Sequence, residues 1–127
     1  MSAPQFEGTS PLISDRYIVS MTAGEDLTMG QVVELTDVWT VKKPTAANSK
    51  KIVGICLTNA LNGKKVSIVC RGICRAIAYG AVAAGDQLTN HSSGGKVKTD
   101  NSTLNTTIIG MSIEAIGSGG TGVIILW

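Results

Sequence analysis

The chain has 127 residues, of which 16% are charged and 43% are apolar, with a formal net charge of +2. This length fits a single domain with its own core, and the apolar content excludes a disordered chain. The small net charge argues against a dedicated nucleic-acid binder. The chain has no apolar run of about 18 residues, so we expect no membrane-spanning helix. Because no basic start precedes an apolar core at the N-terminus, we expect no signal peptide and synthesis in the cytoplasm.

The first 15 residues differ in composition from the remainder of the chain. Pro4, Gly8 and Pro11 interrupt a stretch of polar residues, a pattern that predicts an extended N-terminal arm without regular structure. Phe6 is the only phenylalanine in the chain. It is either an incidental exposed residue or an aromatic anchor on another molecule.

Short β-branched and apolar segments follow the arm and predict strands. The predicted strands of the first half cover residues 16–21, 31–36, 38–43, 52–57 and 66–70. The last two form a strand–turn–strand unit, in which Asn62-Gly63 supplies a loop that tolerates positive φ. In the final strand Val66, Ile68 and Cys70 alternate with their neighbours, as in a half-buried strand.

Residues 73–84 can be read in two ways. Their alanines, and the spacing of Ile73, Ile77 and Ala81, would suit a helix. Residues 73–78 also alternate in the manner of a strand, and Gly80 interrupts the helical pattern. Because strands are predicted on both sides, we favour a strand to about Tyr79, followed by a turn.

The second half contains two polar loops and an apolar hairpin. We expect loops at residues 90–95 and 99–105, with a short strand at 96–98 between them. The hairpin at 107–127 has a Gly/Ser loop and ends on Trp127. An apolar strand that runs to the last residue indicates that the C-terminus is paired into a sheet.

A unit of about 55 residues occurs twice, which is too few copies for a solenoid. Between the hairpins, Gly54 matches Gly110 and Leu57 matches Ile113, whereas residues 66–68 match 123–125 only after a one-residue shift. Two copies of a small strand unit are expected to form one pseudo-symmetric body. The predicted fold is all-β, with room for one short helix. It is a compact β-barrel or sandwich at 16–127 whose similar halves cover about 22–72 and 80–127, with the arm at 1–15.

The three cysteines lie in apolar segments. Cys56, Cys70 and Cys74 are expected to be buried thiols that act as small hydrophobic residues. A metal site is the alternative, but it would need a fourth ligand, and the single histidine, His91, lies in a Gly/Ser loop. We therefore expect no metal and no cofactor.

No arrangement of residues indicates catalysis. A catalytic triad would have to use His91, which has no supporting residue nearby in the sequence. The carboxylates are scattered in turns, and the glycine-rich loops at 93–96 and 117–121 lack the spacing of a phosphate-binding loop. Three matches to the glycosylation sequon, at Asn90, Asn101 and Asn105, are interpreted as polar loop residues.

The glycine-based repeat resembles the capsid decoration, or cement, proteins of tailed bacteriophages. The matching stretches are AVAAGDQL (81–88), GKVK (95–98), TIIGMSIEAIGSGGTGVIILW (107–127), AGEDLTMGQVV (23–33) and KIVGICL (51–57). The resemblance covers most of the chain beyond about residue 16, and its motifs are structural. They identify no active site.

The resemblance implies a structural virion protein without enzymatic activity. Such a protein is made in the host cytoplasm, binds the outer surface of a capsid and bridges neighbouring subunits of the major capsid protein. It is usually a homotrimer at three-fold or quasi-three-fold positions, and it has neither nucleic acid nor membrane as a partner. Because related arms reach neighbouring subunits, the candidate interface residues are Pro4, Phe6, Pro11 and Leu12.

Two other functions compete with this interpretation. A small barrel could bind a ligand or carbohydrate, although its aromatic residues are not clustered in the sequence. An enzyme could use one of the cysteines as a nucleophile, which would require a reactive thiol.

Overall fold

The computed structural model describes residues 17–100 and 107–127. These residues form nine strands and no helix, which confirms the predicted all-β fold. The strands are β1 (Tyr17–Ala23), β2 (Val32–Asp37), β3 (Thr40–Lys42), β4 (Ile52–Cys56), β5 (Lys65–Ile77), β6 (Gln87–Asn90), β7 (Val97–Thr99), β8 (Gly110–Ser112) and β9 (Thr121–Leu126). No helix that could span a membrane occurs in either described range.

The first five strands close into a barrel. The strand order is β1-β3-β2-β4-β5, and β1 also pairs with β5, which closes the ring. We call residues 17–71 the first unit. The remaining strands continue from the second part of β5 in the order β9-β8-β6-β7, and a bridge from Ala78 to Val97 connects β7 back to the end of β5. We call residues 72–127 the second unit.

Strand β5 belongs to both units because it is 13 residues long, and its first part pairs with β1 and β4 whereas its second part pairs with β9. Ile68 packs in the core of the first unit, whereas Cys74 packs in that of the second. Val69, five residues before Cys74, shares its core, which regular alternation would not allow. Gly72 lies between them with φ of 107°, a conformation that glycine adopts without strain. Residues 73–77 are therefore strand, as favoured from the sequence.

The same backbone hydrogen bonds occur in the two units. Leu57 N donates to Ser67 O in the first unit, and Ile113 N donates to Val123 O in the second. Mutual bonds join Leu27 and Ala60 in one unit and Val82 and Ile116 in the other. Equivalent residues in the hairpins are 56 positions apart, so the one-residue shift inferred from the sequence was wrong.

Each unit has its own hydrophobic cluster. The cluster of the first unit comprises Ala23, Leu27, Val33, Val41, Cys56, Ala60, Val66 and Ile68. The cluster of the second unit comprises Cys74, Ala76, Ala78, Val82, Leu88, Val97, Ile116, Ile124 and Leu126, together with Val32, Ile55 and Val69 from the first. The first unit therefore contributes three side chains to the core of the second, which makes the two units one folded body.

The units also share hydrogen bonds. In the first unit Thr22 N donates directly to Trp39 O, at 2.7 Å. At the equivalent place in the second unit, Ile77 N donates to Gly30 O and Gly95 O accepts from Val32 N. The segment from Gly30 to Val32 is thus inserted into the second unit where the first unit closes on itself.

Two local predictions were wrong. The strand predicted at 38–43 begins only at Thr40, because Asp37 pairs with Thr40 and leaves Val38 and Trp39 as a two-residue turn. Asn90, predicted as a loop residue, is the last residue of β6 and is fully buried. Its amide is hydrogen-bonded to another segment of the chain, which a local sequence pattern does not report.

Candidate interaction surfaces

The described residues leave many large apolar side chains exposed. They are Tyr17, Ile18, Met29, Leu35, Val38, Trp39, Leu61, Ile73, Tyr79, Ile113 and Trp127. Single exposed apolar residues are common on folded proteins, but contiguous groups indicate interaction sites. Two such groups occur here, one on a sheet of the second unit and one at a turn of the first.

The first group covers the outward side of β5, β9 and β8 in the second unit. Residues opposite each other across paired strands lie on one side of a sheet, and Ile73, Ile125 and Met111 form such a row. Arg75 and Val123 form the adjacent row. We call the surface formed by Ile73, Arg75, Met111, Ile113, Val123 and Ile125 the outer face.

The outer face has one charged residue among six. Ile113 is 45% exposed and Ile73 is 38% exposed, while Met111, Val123 and Ile125 are half-buried. An antiparallel sheet with one solvated side usually alternates apolar and polar residues. Strand β9 does not alternate between apolar and polar residues. Val123 and Ile125, which point outward, are apolar, and so is Ile124, which points into the core. Its composition suits a sheet that is covered on both sides.

The second group lies at the turn between β2 and β3. We call residues 37–40 the Trp39 turn. Val38 is 79% exposed and Trp39 is 60% exposed. Side chains fix the shape of the turn, because Asp37 Oδ1 accepts from Val38 N at 2.7 Å and Thr40 Oγ1 donates to Val38 O at 2.9 Å. The apolar tip is therefore held in one conformation.

His91 has a partner that the sequence did not indicate. Its ring stacks on Tyr79, with 3.5 Å between the ring centroids and 15° between the planes. Ser93 N lies 3.3 Å from His91 Nδ1. These contacts give the imidazole a structural role in fixing the loop after β6.

Asn90 holds two segments of the chain together. Its Nδ2 donates to Ala46 O at 2.7 Å and to His91 O at 3.0 Å, and its Oδ1 accepts from Ser49 N at 2.8 Å. The side chain is fully buried, so the sequon at this position is inaccessible in the folded protein. Asn101 and Asn105, the other two sequon positions, lie outside the described residues.

The cysteines are buried or half-buried and form no disulfide with one another. Burial raises the pKa of the Cys56 thiol to about 12 and raises the pKa of Cys70. A raised pKa lowers the thiolate fraction, which opposes a nucleophilic role. Within residues 17–100 and 107–127 no group of three or more His, Cys, Asp or Glu side chains could hold a metal ion.

We expect slow thiol chemistry in the native protein. At pH 8 a thiol with a pKa of about 12 is ionised about a thousandfold less than one with the unperturbed value of 9.0. A chromogenic disulfide reagent should therefore label Cys56 far more slowly in buffer than in denaturant. The half-buried Cys70 should give the fastest native phase, and Cys70→Ser should remove that phase. Rapid labelling of Cys56 in the folded protein would contradict this assignment.

A protein-family model described as phage cement protein matches residues 13–126. The chain belongs to the phage cement protein family. This membership confirms the family that the sequence resembles and makes the chain a structural protein of the virion. A search of curated proteins gave no match.

Among solved structures, the chain is similar to the N base of the head fiber gp8.5 of bacteriophage phi29. The two share 12% sequence identity with a TM-score of 0.65, over 89% of this chain and 95% of that one. At 12% identity this similarity shows a shared fold and says nothing about the partners of the present chain.

The candidate interface residues named from the sequence are Pro4, Phe6, Pro11 and Leu12, and all four lie outside the described residues. Sequence reasoning missed the outer face and the Trp39 turn. The uninterrupted apolar run of β9 was an available signal for the outer face. The signal for the Trp39 turn was weaker. The repeat has a tryptophan at this position in the first unit and a glycine, Gly95, at the equivalent position in the second.

Proposed function

We propose that the chain binds the outer surface of a phage capsid and bridges neighbouring subunits of the major capsid protein. The match of the cement protein family over residues 13–126 carries this proposal. A protein that binds only the assembled shell stabilises that state by mass action, and it needs neither catalysis nor a cofactor. The protein acts on the virion after synthesis in the host cytoplasm, and neither nucleic acid nor a membrane is its partner.

The outer face supports a protein that works as part of an assembly. Ile73 and Ile113 expose apolar surface next to three half-buried apolar neighbours, with Arg75 as the one charge. We propose that self-association into a homotrimer covers such surface. Three linked copies would then bind a capsid more tightly than one, because the second and third contacts become intramolecular.

The N-terminal arm is proposed to reach neighbouring subunits of the shell. Phe6 is the proposed aromatic anchor, and Pro4, Pro11 and Leu12 complete the apolar set within the arm. Prolines restrict the unbound chain, which lowers the entropy cost of ordering it on a partner.

Sedimentation of the full chain with undecorated phage capsids tests the proposal. We expect the protein to pellet with capsids at a saturating, fixed ratio to the capsid protein. Deletion of residues 2–12 should leave the fold intact, because β1 begins at Tyr17, and should weaken capsid binding. The variant Phe6→Ser in the full chain should reproduce part of that loss.

One control and two contradicting results complete the test. Circular dichroism and thermal unfolding should be the same for the deletion variant and the full chain. Unchanged occupancy after the deletion would refute the role of the arm while leaving capsid binding in place. Failure of the full chain to bind its matched capsid at saturating concentration would overturn the proposed function.

A further inference from the structure

In the first unit, one outward row of side chains is covered by the second unit. Val32, Ile55 and Val69 pair in register across β2, β4 and β5. Each is at most 1% exposed, and all three belong to the hydrophobic cluster of the second unit. The chain thus contains one example of how this row is buried.

The equivalent row of the second unit faces solvent in the described part of the chain. Gln87, Met111 and Ile125 pair in register across β6, β8 and β9, as their counterparts do in the first unit. Gln87 is exposed, and Met111 and Ile125 are half-buried. Met111 and Ile125 belong to the outer face, together with the exposed Ile73 and Ile113, and Gln87 lies beside it.

A turn of the second unit lies against the covered row. We call residues 93–96 the Gly95 turn. Gly95 O accepts from Val32 N at 2.8 Å, and a Cβ on Gly95 would lie 2.7 Å from Gln31 Cβ. The Gly95 turn therefore packs directly on the first unit.

The Trp39 turn is the counterpart of the Gly95 turn, and in the described residues it lies exposed. Trp39 and its counterpart Gly95 both lie in the left-handed region, with φ of 51° and 65°. A bulky residue is strained in this conformation, and such strain concentrates at binding sites. The first unit keeps a strained, 60% exposed tryptophan where the second unit has glycine.

We propose that the Trp39 turn of one copy docks on the outer face of a neighbouring copy. The contact resembles the contact between the units of a single chain, with the Trp39 turn in place of the Gly95 turn. It joins two different patches, and each chain carries one of each, so successive contacts can close into a ring. This contact would produce the self-association proposed above, so the inference rests on that part of the proposed function.

The chemistry of the two surfaces is complementary. Val38 and Trp39 supply apolar area for Ile73 and Ile113. Asp37 in the turn and Arg75 on the outer face carry opposite charges, and the guanidinium of an arginine also stacks favourably on an indole ring. A second copy of the chain is the occupant that supplies the apolar turn and the opposite charge together.

The docked turn packs on the surface and does not insert as residues 30–32 do. Thr22 N donates to Trp39 O at 2.7 Å, so the slot beside the turn is closed. Val32, an apolar residue, is part of the segment that inserts within the chain. Its counterpart in the second unit, beside the outer face, is the polar Gln87. Both differences leave the apolar side chains as the main contacts between copies.

Analytical ultracentrifugation of the full chain without capsids tests the inference. We expect a species of about 40 kDa, three copies of the 13.2 kDa chain. Trp39→Gly on the turn and Ile113→Asp on the outer face should each weaken association about thirtyfold or more, as for a central interface residue. Leu61→Asp changes an equally exposed apolar residue in the 60–63 turn and should leave association unchanged.

A mixture of the two variants gives the sharpest result. Trp39→Gly keeps an intact outer face and Ile113→Asp keeps an intact turn, so one good contact remains between unlike chains. The mixture should form a heterodimer of about 26 kDa, twice the 13.2 kDa chain, but no closed ring. Circular dichroism of each variant controls the fold, because loss of association would itself change Tm by mass action.

The remaining outcomes overturn the inference. These are a wild-type chain that stays monomeric at every concentration, association that survives both substitutions, and variants that both fail alone and fail to pair when mixed. Because capsids are absent from the experiment, none of these results bears on capsid binding. Sedimentation with capsids tests that separately.

Discussion

Replacement of Gly54 by alanine is expected to cost about 3 kcal/mol or more of stability, or to prevent folding altogether. A Cβ at position 54 would lie 2.0 Å from the carbonyl oxygen of Val69 and 2.8 Å from its carbonyl carbon. Those atoms belong to the backbone of β5 and cannot rotate away as a side chain can. Relief requires β4 and β5 to separate, and these strands carry the barrel and the shared core.

Gly110→Ala should have an effect of the same size in the second unit. Its Cβ would lie 2.0 Å from Ile125 O, the counterpart of Val69 O. Thermal and denaturant unfolding of both variants should show Tm lower by about 10 °C or more, if folded protein is obtained. The two substitutions test one geometric requirement at two sites.

Gly117→Ala is the matched control. A Cβ at position 117 would have no heavy atom within 4 Å beyond its chain neighbours, and the backbone there does not have positive φ. The same methyl group therefore meets open space, and stability should change by less than about 0.5 kcal/mol. If Gly54→Ala were as stable as Gly117→Ala, the close approach of β4 to β5 would be wrong.

The repeated glycines could be recognised in the sequence, but the reason why glycine is required at these positions could not. Matching Gly54 with Gly110 identified the repeat, and β-branched alternation identified most strands. Sequence patterns report which side of a strand is apolar and do not report how near the next backbone comes. The 2.0 Å approach to Val69 O depends on the pairing of β4 with β5, which only the folded chain defines.

The errors at Val38 and Asn90 share a physical origin. Val38 is β-branched and continues an apolar run, yet the pairing of Asp37 with Thr40 makes it a turn residue. Asn90 is polar and precedes a Gly/Ser loop, yet it is buried by residues 46–49, more than 40 positions earlier. Composition sets the local propensity, but backbone pairing across the hairpin overrode it at Val38, and contacts with distant residues overrode it at Asn90.

The candidate surfaces were predictable only in part. A strand with one solvated side should alternate between apolar and polar residues. The run from Val123 to Trp127 is apolar throughout, which indicates that both sides of this strand are covered. Which residues of β5 and β8 join it depends on register, as in the pairing of Ile73 with Ile125. The strain at Trp39 is a backbone property that its sequence neighbours do not reveal.

Replacement of Asn90 by aspartate is the second change with a large expected effect. Asn90 Nδ2 donates to Ala46 O and His91 O, and a carboxylate would place a buried negative charge against those two acceptors. At pH 7 we expect a loss of about 3 kcal/mol or more, since a buried charge that faces two hydrogen-bond acceptors is costly. Ser49 N would still donate to the remaining oxygen, which limits the loss only slightly.

The loss should depend on pH with a defined sign. Burial and the two carbonyl oxygens raise the folded-state pKa of the new carboxyl above its unfolded value of about 3.9. Between those two pKa values the folded state binds more protons than the unfolded state, so stability falls as pH rises through this window. The deficit relative to wild type should therefore be smallest at about pH 4 and reach its full value above the folded pKa.

Denaturant unfolding of Asn90→Asp and wild type at a series of pH values from about 4 to 8 measures this difference directly. Asn59→Asp is the matched control, because exposed Asn59 uses only its Oδ1, which accepts from Met29 N at 2.8 Å and which aspartate retains. Its stability should stay within about 0.5 kcal/mol of wild type at every pH. A deficit for Asn90→Asp that did not change with pH would show that the introduced carboxyl escapes to solvent. The segment at 46–49 would then be held to β6 by something other than this amide.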